Sequence, residues 1–177
     1  MKVALFVLLV ATLAFGQAKM RTTFYGGGAF AVGEGSSDMN PGLSVCIEPI
    51  SKFNSYFGIG GHADYTWLTD HIPTSAPSDA GGGMHMWDVG VVPKAFLPVG
   101  PDAAFAFELD PALYFTMAYA HAYGESVSSF KEYFGLTYGV SFTIRSFAVA
   151  AKFKTIIVEQ DAINWMTLTI GYSSFGM

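Results

Sequence analysis

The sequence predicts an all-β fold: a transmembrane, antiparallel, up-and-down β-barrel of eight strands. Three observations support this prediction. Apolar residues alternate with small or polar ones along most of the chain, charges within these segments fall on one parity, and the connections differ systematically in length. A wide apolar face in a soluble sheet needs a second layer to cover it, and the chain supplies none. In a membrane barrel, lipid covers that face instead.

The segment 133–158 shows the alternation most clearly. Six large apolar side chains occupy every second position from Phe134 to Ile144, which is the two-residue period of a strand. After Ser146 the alternation restarts at Phe147 and continues to Ile157. Two such runs with almost nothing between them predict a β-hairpin.

Similar patterns divide the rest of the chain into strands. The eight predicted strands are residues 20–33, 42–48, 55–68, 85–97, 104–120, 133–145, 147–158 and 164–175. Pro93 and Pro111 remove backbone donors from the fourth and fifth strands, so we expect a bulge or a break near Pro111.

The connections alternate in length. Those after the second, fourth and sixth strands are short, at 49–54, 98–103 and 146. Those after the first, third and fifth are longer, at 34–41, 69–84 and 121–132, and the last, at 159–163, is brief. Short turns on the periplasmic side and longer loops outside are typical of bacterial outer-membrane barrels.

The placement of charges is an independent test, because the outward face was chosen from apolar residues alone. All the charged residues of the strands after the first fall on the opposite parity: Glu48, Asp64, Asp88, Lys94, Glu108, Asp110, Arg145, Lys152 and Lys154. Lys or Arg facing lipid at the midplane costs about 2 to 4 kcal/mol, so a bilayer would impose this placement. A soluble barrel of the lipocalin type would have the reverse arrangement.

The amino terminus predicts secretion. Met1 and Lys2 precede an apolar run from Val3 to Phe15, and small residues follow. We predict a signal peptide at 1–18, with cleavage after Ala18, and a barrel at 19–177; cleavage after Gly16 also fits. An amino-terminal membrane anchor is less compatible with the run, which is shorter than the roughly 20 residues that span a bilayer.

The pattern resembles the small eight-stranded outer-membrane barrels of the OmpA transmembrane-domain and OmpX type. It rests on the signal peptide, the amphipathic strands, and Trp and Tyr near strand ends. The predicted aromatic girdle comprises Trp67, Trp87, Tyr119, Trp165 and Tyr172. The resemblance implies contact with outer-membrane lipids and insertion by the barrel-assembly machinery. Leu168, Ile170 and Tyr172 supply the expected carboxy-terminal alternation, but Phe175 is off parity, which leaves room for a bulge.

An eight-stranded barrel encloses only enough space for side chains to fill. The lumenal acids and bases are therefore expected to pair across the interior as a salt-bridged plug, with a narrow proton or ion path as the alternative. His62 and Asp64 lie two residues apart on one face; we expect a hydrogen-bonded pair, because two ligands are too few for a metal site. Cys46 is expected to be a buried lumenal thiol. No cofactor is indicated.

The predicted outer connections carry eight acids and one lysine, which disfavours nucleic acid as a partner. We expect weak bridging by divalent cations to lipopolysaccharide. Residue types for nucleophilic chemistry occur in Asp70-His71 through Ser78-Asp79 and in His121, Glu125 and Ser126, but the spacing fits no triad. Gly81-Gly82-Gly83 lacks the Lys of a phosphate-binding loop.

The sequence therefore favours a non-catalytic barrel with a structural or surface-interaction role. Three alternatives stay open. They are an adhesin or binding protein acting through residues 69–84 and 121–132, a lipid A-modifying enzyme, and a narrow channel.

Overall fold

A computed structural model describes residues 20–33, 36, 39–70, 80–158 and 161–175. The predicted signal peptide lies outside these residues, as do residues 34–35, 37–38, 71–79 and 159–160 of the predicted connections. The eight strands are β1 (Met20–Val32), β2 (Met39–Lys52), β3 (Phe57–Asp70), β4 (Gly81–Gly100), β5 (Ala103–Ala122), β6 (Glu125–Ile144), β7 (Phe147–Val158) and β8 (Asp161–Phe175).

Each strand pairs antiparallel with the next, and β8 pairs with β1 to close the barrel. The predicted fold class is confirmed. One end of the barrel, the turn end, carries the connections at 53–56, 101–102 and 145–146. At the opposite end, the loop end, lie the ends of β1, β3, β5 and β7 and the turn at 123–124. No helix in the described part of the chain is long and apolar enough to cross a membrane.

The two faces of the sheet have opposite chemistry. Large apolar side chains point outward; Phe107 and Leu109, for example, are 53% and 55% exposed. The charged side chains that alternate with them, such as Glu108 and Asp110, are buried in the interior. This arrangement is the reverse of that in a soluble protein, and a lipid environment requires it.

Several strands extend further than the sequence predicted. β6 begins at Glu125, although 121–132 was predicted to be a loop, and it pairs with β5 down to Ala122↔Glu125. The connection is the two-residue turn Tyr123-Gly124, whose φ angles of 55° and 77° fit the hairpin turns in which both central residues have positive φ. The prediction was wrong because polar residues in a strand that leaves the membrane resemble those of a loop.

The β4–β5 ladder is interrupted near Pro93 and Pro111 but has no bulge there, and the expected bulge in β8 is absent from its ladder with β1. Pairing between β4 and β5 has the same register at Gly90↔Ala112 and Lys94↔Glu108, on either side of Pro93 and Pro111. The two prolines lie within one short interval of the ladder, so the lost hydrogen bonds are confined to it. β8 pairs with β1 in one unbroken register from Val32↔Asn164 to Arg21↔Phe175.

Candidate functional site

Two lysines and two glutamates form a closed ring of ion pairs in the half of the lumen nearer the turn end. We call it the charge quartet: Glu48, Lys94, Glu108 and Lys152. Lys152 Nζ lies 2.7 Å from Glu48 Oε2 and 2.6 Å from Glu108 Oε1. Lys94 Nζ lies 2.7 Å from Glu108 Oε2 and also contacts Glu48. Each charge has two opposite neighbours, so the quartet is electrically balanced.

A second group, the aspartate cluster, lies next to the quartet toward the loop end. It comprises His62, Asp64, Asp88, Asp110 and Lys154. Lys154 Nζ lies 2.9 Å from Asp64 Oδ1 and 2.8 Å from Asp88 Oδ2. His62 Nε2 lies 2.5 Å from Asp88 Oδ1, while its Nδ1 is 3.8 Å from Asp110 Oδ2. All five side chains are buried.

The expected His62–Asp64 pair is wrong. His62 bonds to Asp88 on the neighbouring strand, whereas Asp64 accepts hydrogen bonds from Ser44 and Thr66 at 3.3 Å and 3.1 Å. The two side chains share a face but have different partners: His62 bonds to Asp88 of the adjacent strand, and Asp64 pairs with Lys154 across the lumen. Among the described residues, no group of three or more His, Cys, Asp or Glu could hold a metal ion.

An apolar layer covers the aspartate cluster on the side of the loop end. Its buried members are Ala29, Leu68, Met86, Ala112, Tyr114, Ile156 and Trp165. Trp165 was predicted in the outer girdle, but its side chain is fully buried and meets the Tyr114 ring edge to face at 5.5 Å. The Tyr114 hydroxyl bonds to Thr137 Oγ1 at 2.6 Å. From the turn end toward the loop end, the lumen is therefore filled first by charged side chains and then by apolar ones.

Glycines on the inward face make room for this filling. A Cβ on Gly90 would lie 2.7 Å from Cε1 of His62, and one on Gly135 would lie 2.5 Å from the Tyr114 ring. These contacts are shorter than real Cβ atoms tolerate, so glycine is required for both large side chains to lie against the wall. Cys46 is buried on the same face.

Arg145 differs from its predicted lumenal position. It lies in the β6–β7 turn with a φ of 52°, and its side chain is 82% exposed. Its Nε is 3.7 Å from Asp102 of the neighbouring turn, and its carbonyl accepts a bond from Arg21 at 2.5 Å. The parity argument failed because the turn begins at Arg145, where alternation no longer applies.

The other predicted girdle residues lie on the outward face. Tyr172 is 65% exposed near the turn end, and Trp87 is 39% exposed toward the loop end. His85 lies between the rings of Trp67, Trp87 and Tyr119, with centroids 5.4 to 6.1 Å apart. The sequence analysis did not assign His85 to the girdle, although His85 has the same parity as Trp87 and therefore faces the same way.

At the loop end, β6 extends beyond its described pairing with β7. We call residues 115–134 the β5–β6 extension. Pairing of β6 with β7 begins only at Gly135↔Ile156 within the described residues, so residues 125–134 pair with β5 on one side alone. Every residue from Glu125 to Glu132 is exposed, including Val127 at 71% and Phe130 at 60%.

The described residues that were considered for nucleophilic chemistry lie near the loop end. His121 lies opposite Ser126 in the β5–β6 ladder, and a Cβ on Gly81 would touch its ring. Asp70 lies beside Gly82. Gly81 and Gly82 are consecutive in β4 and therefore face opposite sides of the sheet. His71, Ser78 and Asp79 lie outside the described residues.

Closed eight-stranded topology, an apolar outer surface and a filled charged lumen together define a small β-barrel protein of the bacterial outer membrane. Solved structures of this class share the fold. Ail, the attachment invasion locus protein of Yersinia pestis, superposes with a TM-score of 0.58 at 13% identity, covering 89% of this chain and 99% of Ail. Its complex with the heparin analogue sucrose octasulfate gives 0.60 at 14%, covering 88% and 99%. Neisserial surface protein A gives 0.57 at 14%, covering 88% and 96%. The sequence matches no protein-family model and no curated protein.

Proposed function

We propose that this protein is a non-catalytic surface-interaction barrel that binds an extended segment of an external protein along β6. The observation that carries the proposal is the free edge of residues 125–134, which has β5 on one side and no strand of the described chain on the other. A free edge offers unpaired N–H and C=O groups, and an added strand satisfies them.

The composition of this edge supports a controlled interaction. Glu125, Lys131 and Glu132 are charges of the kind that limit indiscriminate pairing between edges. Val127 and Phe130 are large exposed apolar residues on opposite faces, which can each contact alternate side chains of an added strand. The edge thus combines backbone pairing with side-chain selection.

Ail is named for attachment, and one of its structures holds a sulfated sugar analogue. The attachment role agrees with the proposal. The ligand does not carry over, since the described outer surface here bears Asp70, Glu125 and Glu132 against Lys131. An acidic surface repels a sulfated ligand and favours a cationic segment.

The lumen has a structural role in this proposal. The charge quartet and the apolar layer close the interior, so we expect no conductance in planar bilayers. A steady conductance that Lys152→Met alters would instead support the ion-path alternative. We also keep the expectation that divalent cations link the acidic outer connections to lipopolysaccharide; unchanged association after removal of calcium and magnesium would exclude it.

The binding role is tested by shortening the hairpin. Residues 118–129 are replaced by Asn-Gly, which joins the paired residues Met117 and Phe130 by a two-residue turn. A non-adherent bacterium is made to produce either the full or the shortened chain, and its attachment to cultured epithelial cells is measured. We expect attachment with the full chain and none with the shortened one, while both stay folded in the outer membrane. Equal attachment would contradict the proposal.

Single proline substitutions at two adjacent positions provide a sharper test of pairing at the free edge. Successive backbone amides in a strand point to opposite sides, so only one of Ser128→Pro and Ser129→Pro removes an amide from the free edge. We expect that variant to lose attachment with the hairpin intact. Equal retention of attachment in both variants would exclude strand addition.

A further inference from the structure

The aspartate cluster is not electrically balanced. The charge quartet has two acids and two lysines, whereas the aspartate cluster has three acids, one lysine and one histidine. Even with His62 protonated, one negative charge is left without a counterpart. An uncompensated buried charge is strongly destabilising, so the cluster needs positive charge beyond Lys154.

The surplus is located at Asp110. Its side chain is fully buried, and neither of its carboxylate oxygens has a hydrogen-bond partner in the described structure. The nearest cationic candidate is His62, whose Nδ1 is 3.8 Å away and also lacks a hydrogen-bond partner. A buried carboxylate that has neither a hydrogen bond nor a cation at hydrogen-bond distance needs another source of stabilisation.

We propose that Asp110 is a proton-binding site of the lumen and is held as a carboxylic acid at neutral pH. The bound proton removes the surplus negative charge at Asp110. The two other carboxylates of the aspartate cluster, Asp64 and Asp88, then share the cation Lys154.

The charged groups around Asp110 fix where the proton goes. Lys154 of β7 lies between Asp64 and Asp88, so those two carboxylates already have a cation. Glu108 of β5 and Glu48 of β2 are both held by Lys94 of β4 and Lys152 of β7. Tyr114 of β5 bonds to Thr137 of β6, and Tyr25 of β1 lies under Lys152, 5.4 Å from its Nζ to the ring centroid. Asp110 alone has no such partner within hydrogen-bond distance among the described residues.

The site predicts a dependence of stability on pH. At alkaline pH the proton leaves, and Asp110 becomes a buried anion without compensation. The temperature at which the folded band disappears on unboiled gels is expected to fall between neutral and alkaline pH. Asp110→Asn replaces the carboxylic acid by a group of the same shape that cannot ionise, so its profile should be flat. A parallel decline in both chains would overturn the proposal.

The proton itself can be observed directly. Protein labelled with carbon-13 at the aspartate carboxyls, in detergent at neutral pH, should show one protonated carboxyl signal. That signal should be absent from Asp110→Asn and present in Asp102→Asn, a matched change at an exposed carboxylate. If the wild-type protein shows no protonated aspartate, the proposal is wrong, and this holds even where the Asp110 variant fails to fold.

A metal ion is the competing occupant, since a carboxylate and an imidazole also bind cations. Elemental analysis of the dialysed wild-type protein distinguishes the two. We expect no stoichiometric metal. One metal ion for each chain, lost in Asp110→Asn and accompanied by an ionised Asp110, would overturn the assignment of a proton.

Discussion

Lys152 Nζ lies 2.7 Å from Glu48 Oε2, although the two residues are 104 positions apart in the sequence. Lys152 belongs to β7 and Glu48 to β2, which are not neighbours in the barrel. The contact therefore crosses the lumen. Each lysine of the quartet binds acids from two strands, so the interior connects walls that share no backbone hydrogen bonds.

The aspartate cluster also connects opposite walls, and removing its lysine tests how tightly the lumenal charges are paired. Lys154→Met leaves Asp64 and Asp88 buried without their cation, and we expect the free energy of unfolding to fall by about 3 to 5 kcal/mol. Urea titration in lipid vesicles measures it. Lys131→Met, on the exposed β5–β6 extension, is the control and should change little. Equal small losses in both variants would show that the lumenal charges are not tightly paired.

The lumenal glycines predict a steric effect. In Gly90→Ala the new methyl group would meet the His62 ring and the Ala112 Cβ, at 2.7 and 2.9 Å from their nearest atoms. We expect a loss of about 1 to 3 kcal/mol in the free energy of unfolding, as for other overpacked sites. Gly26→Ala is the control because a Cβ there has nothing within 4 Å. Unchanged stability in both variants would mean that His62 is free to move.

The outward face predicts a depth-dependent cost. Leu109→Arg places a charge midway along the part of β5 that faces lipid, and we expect destabilisation by about 2 to 4 kcal/mol. Phe130→Arg makes a similar change on the extension, where the side chain is 60% exposed and β6 has no described partner on the β7 side. It should cost far less. Similar costs for both would place the extension inside the bilayer or Leu109 outside it.

The free edge of β6 predicts a pattern of hydrogen exchange. From Gly135 to Ile144 both sides of the strand are paired, so all its amides should exchange slowly. From Glu125 to Phe134 only the amides that point to β5 should be slow, and those between them should exchange quickly. Residue-resolved exchange in detergent micelles would show this alternation. Uniform protection along 125–134 would mean that a second strand already occupies the edge.

The inward and outward faces could be predicted because the two-residue period of a strand is visible in the sequence. The same period could have corrected one error: Trp165 shares the parity of the inward residues Thr167 and Thr169, not that of Leu168. The assignment to the girdle followed residue type instead. Arg145 could not be corrected in this way, since one residue decides whether it ends a strand or begins a turn.

Contacts across the lumen could not be derived from alternation. Period and parity show that Asp88 and Asp110 face inward, but the partner of each depends on the stagger between strands. Stagger is set by backbone pairing along the whole barrel. The isolation of Asp110 and the choice of Asp88 by His62 therefore needed the three-dimensional structure. The β5–β6 extension was missed for a different reason, because strands outside the membrane lose the alternation that lipid imposes.

The central claim is that the chain is a closed membrane barrel with its apolar face outward. Electrophoresis of the outer-membrane fraction, unboiled and boiled in SDS, tests it most directly, since a closed barrel stays folded in detergent until heated. We predict that the protein is in this fraction and that heating shifts its migration. A soluble periplasmic protein that migrates identically before and after boiling would contradict the account, because its apolar face would then have to be turned inward.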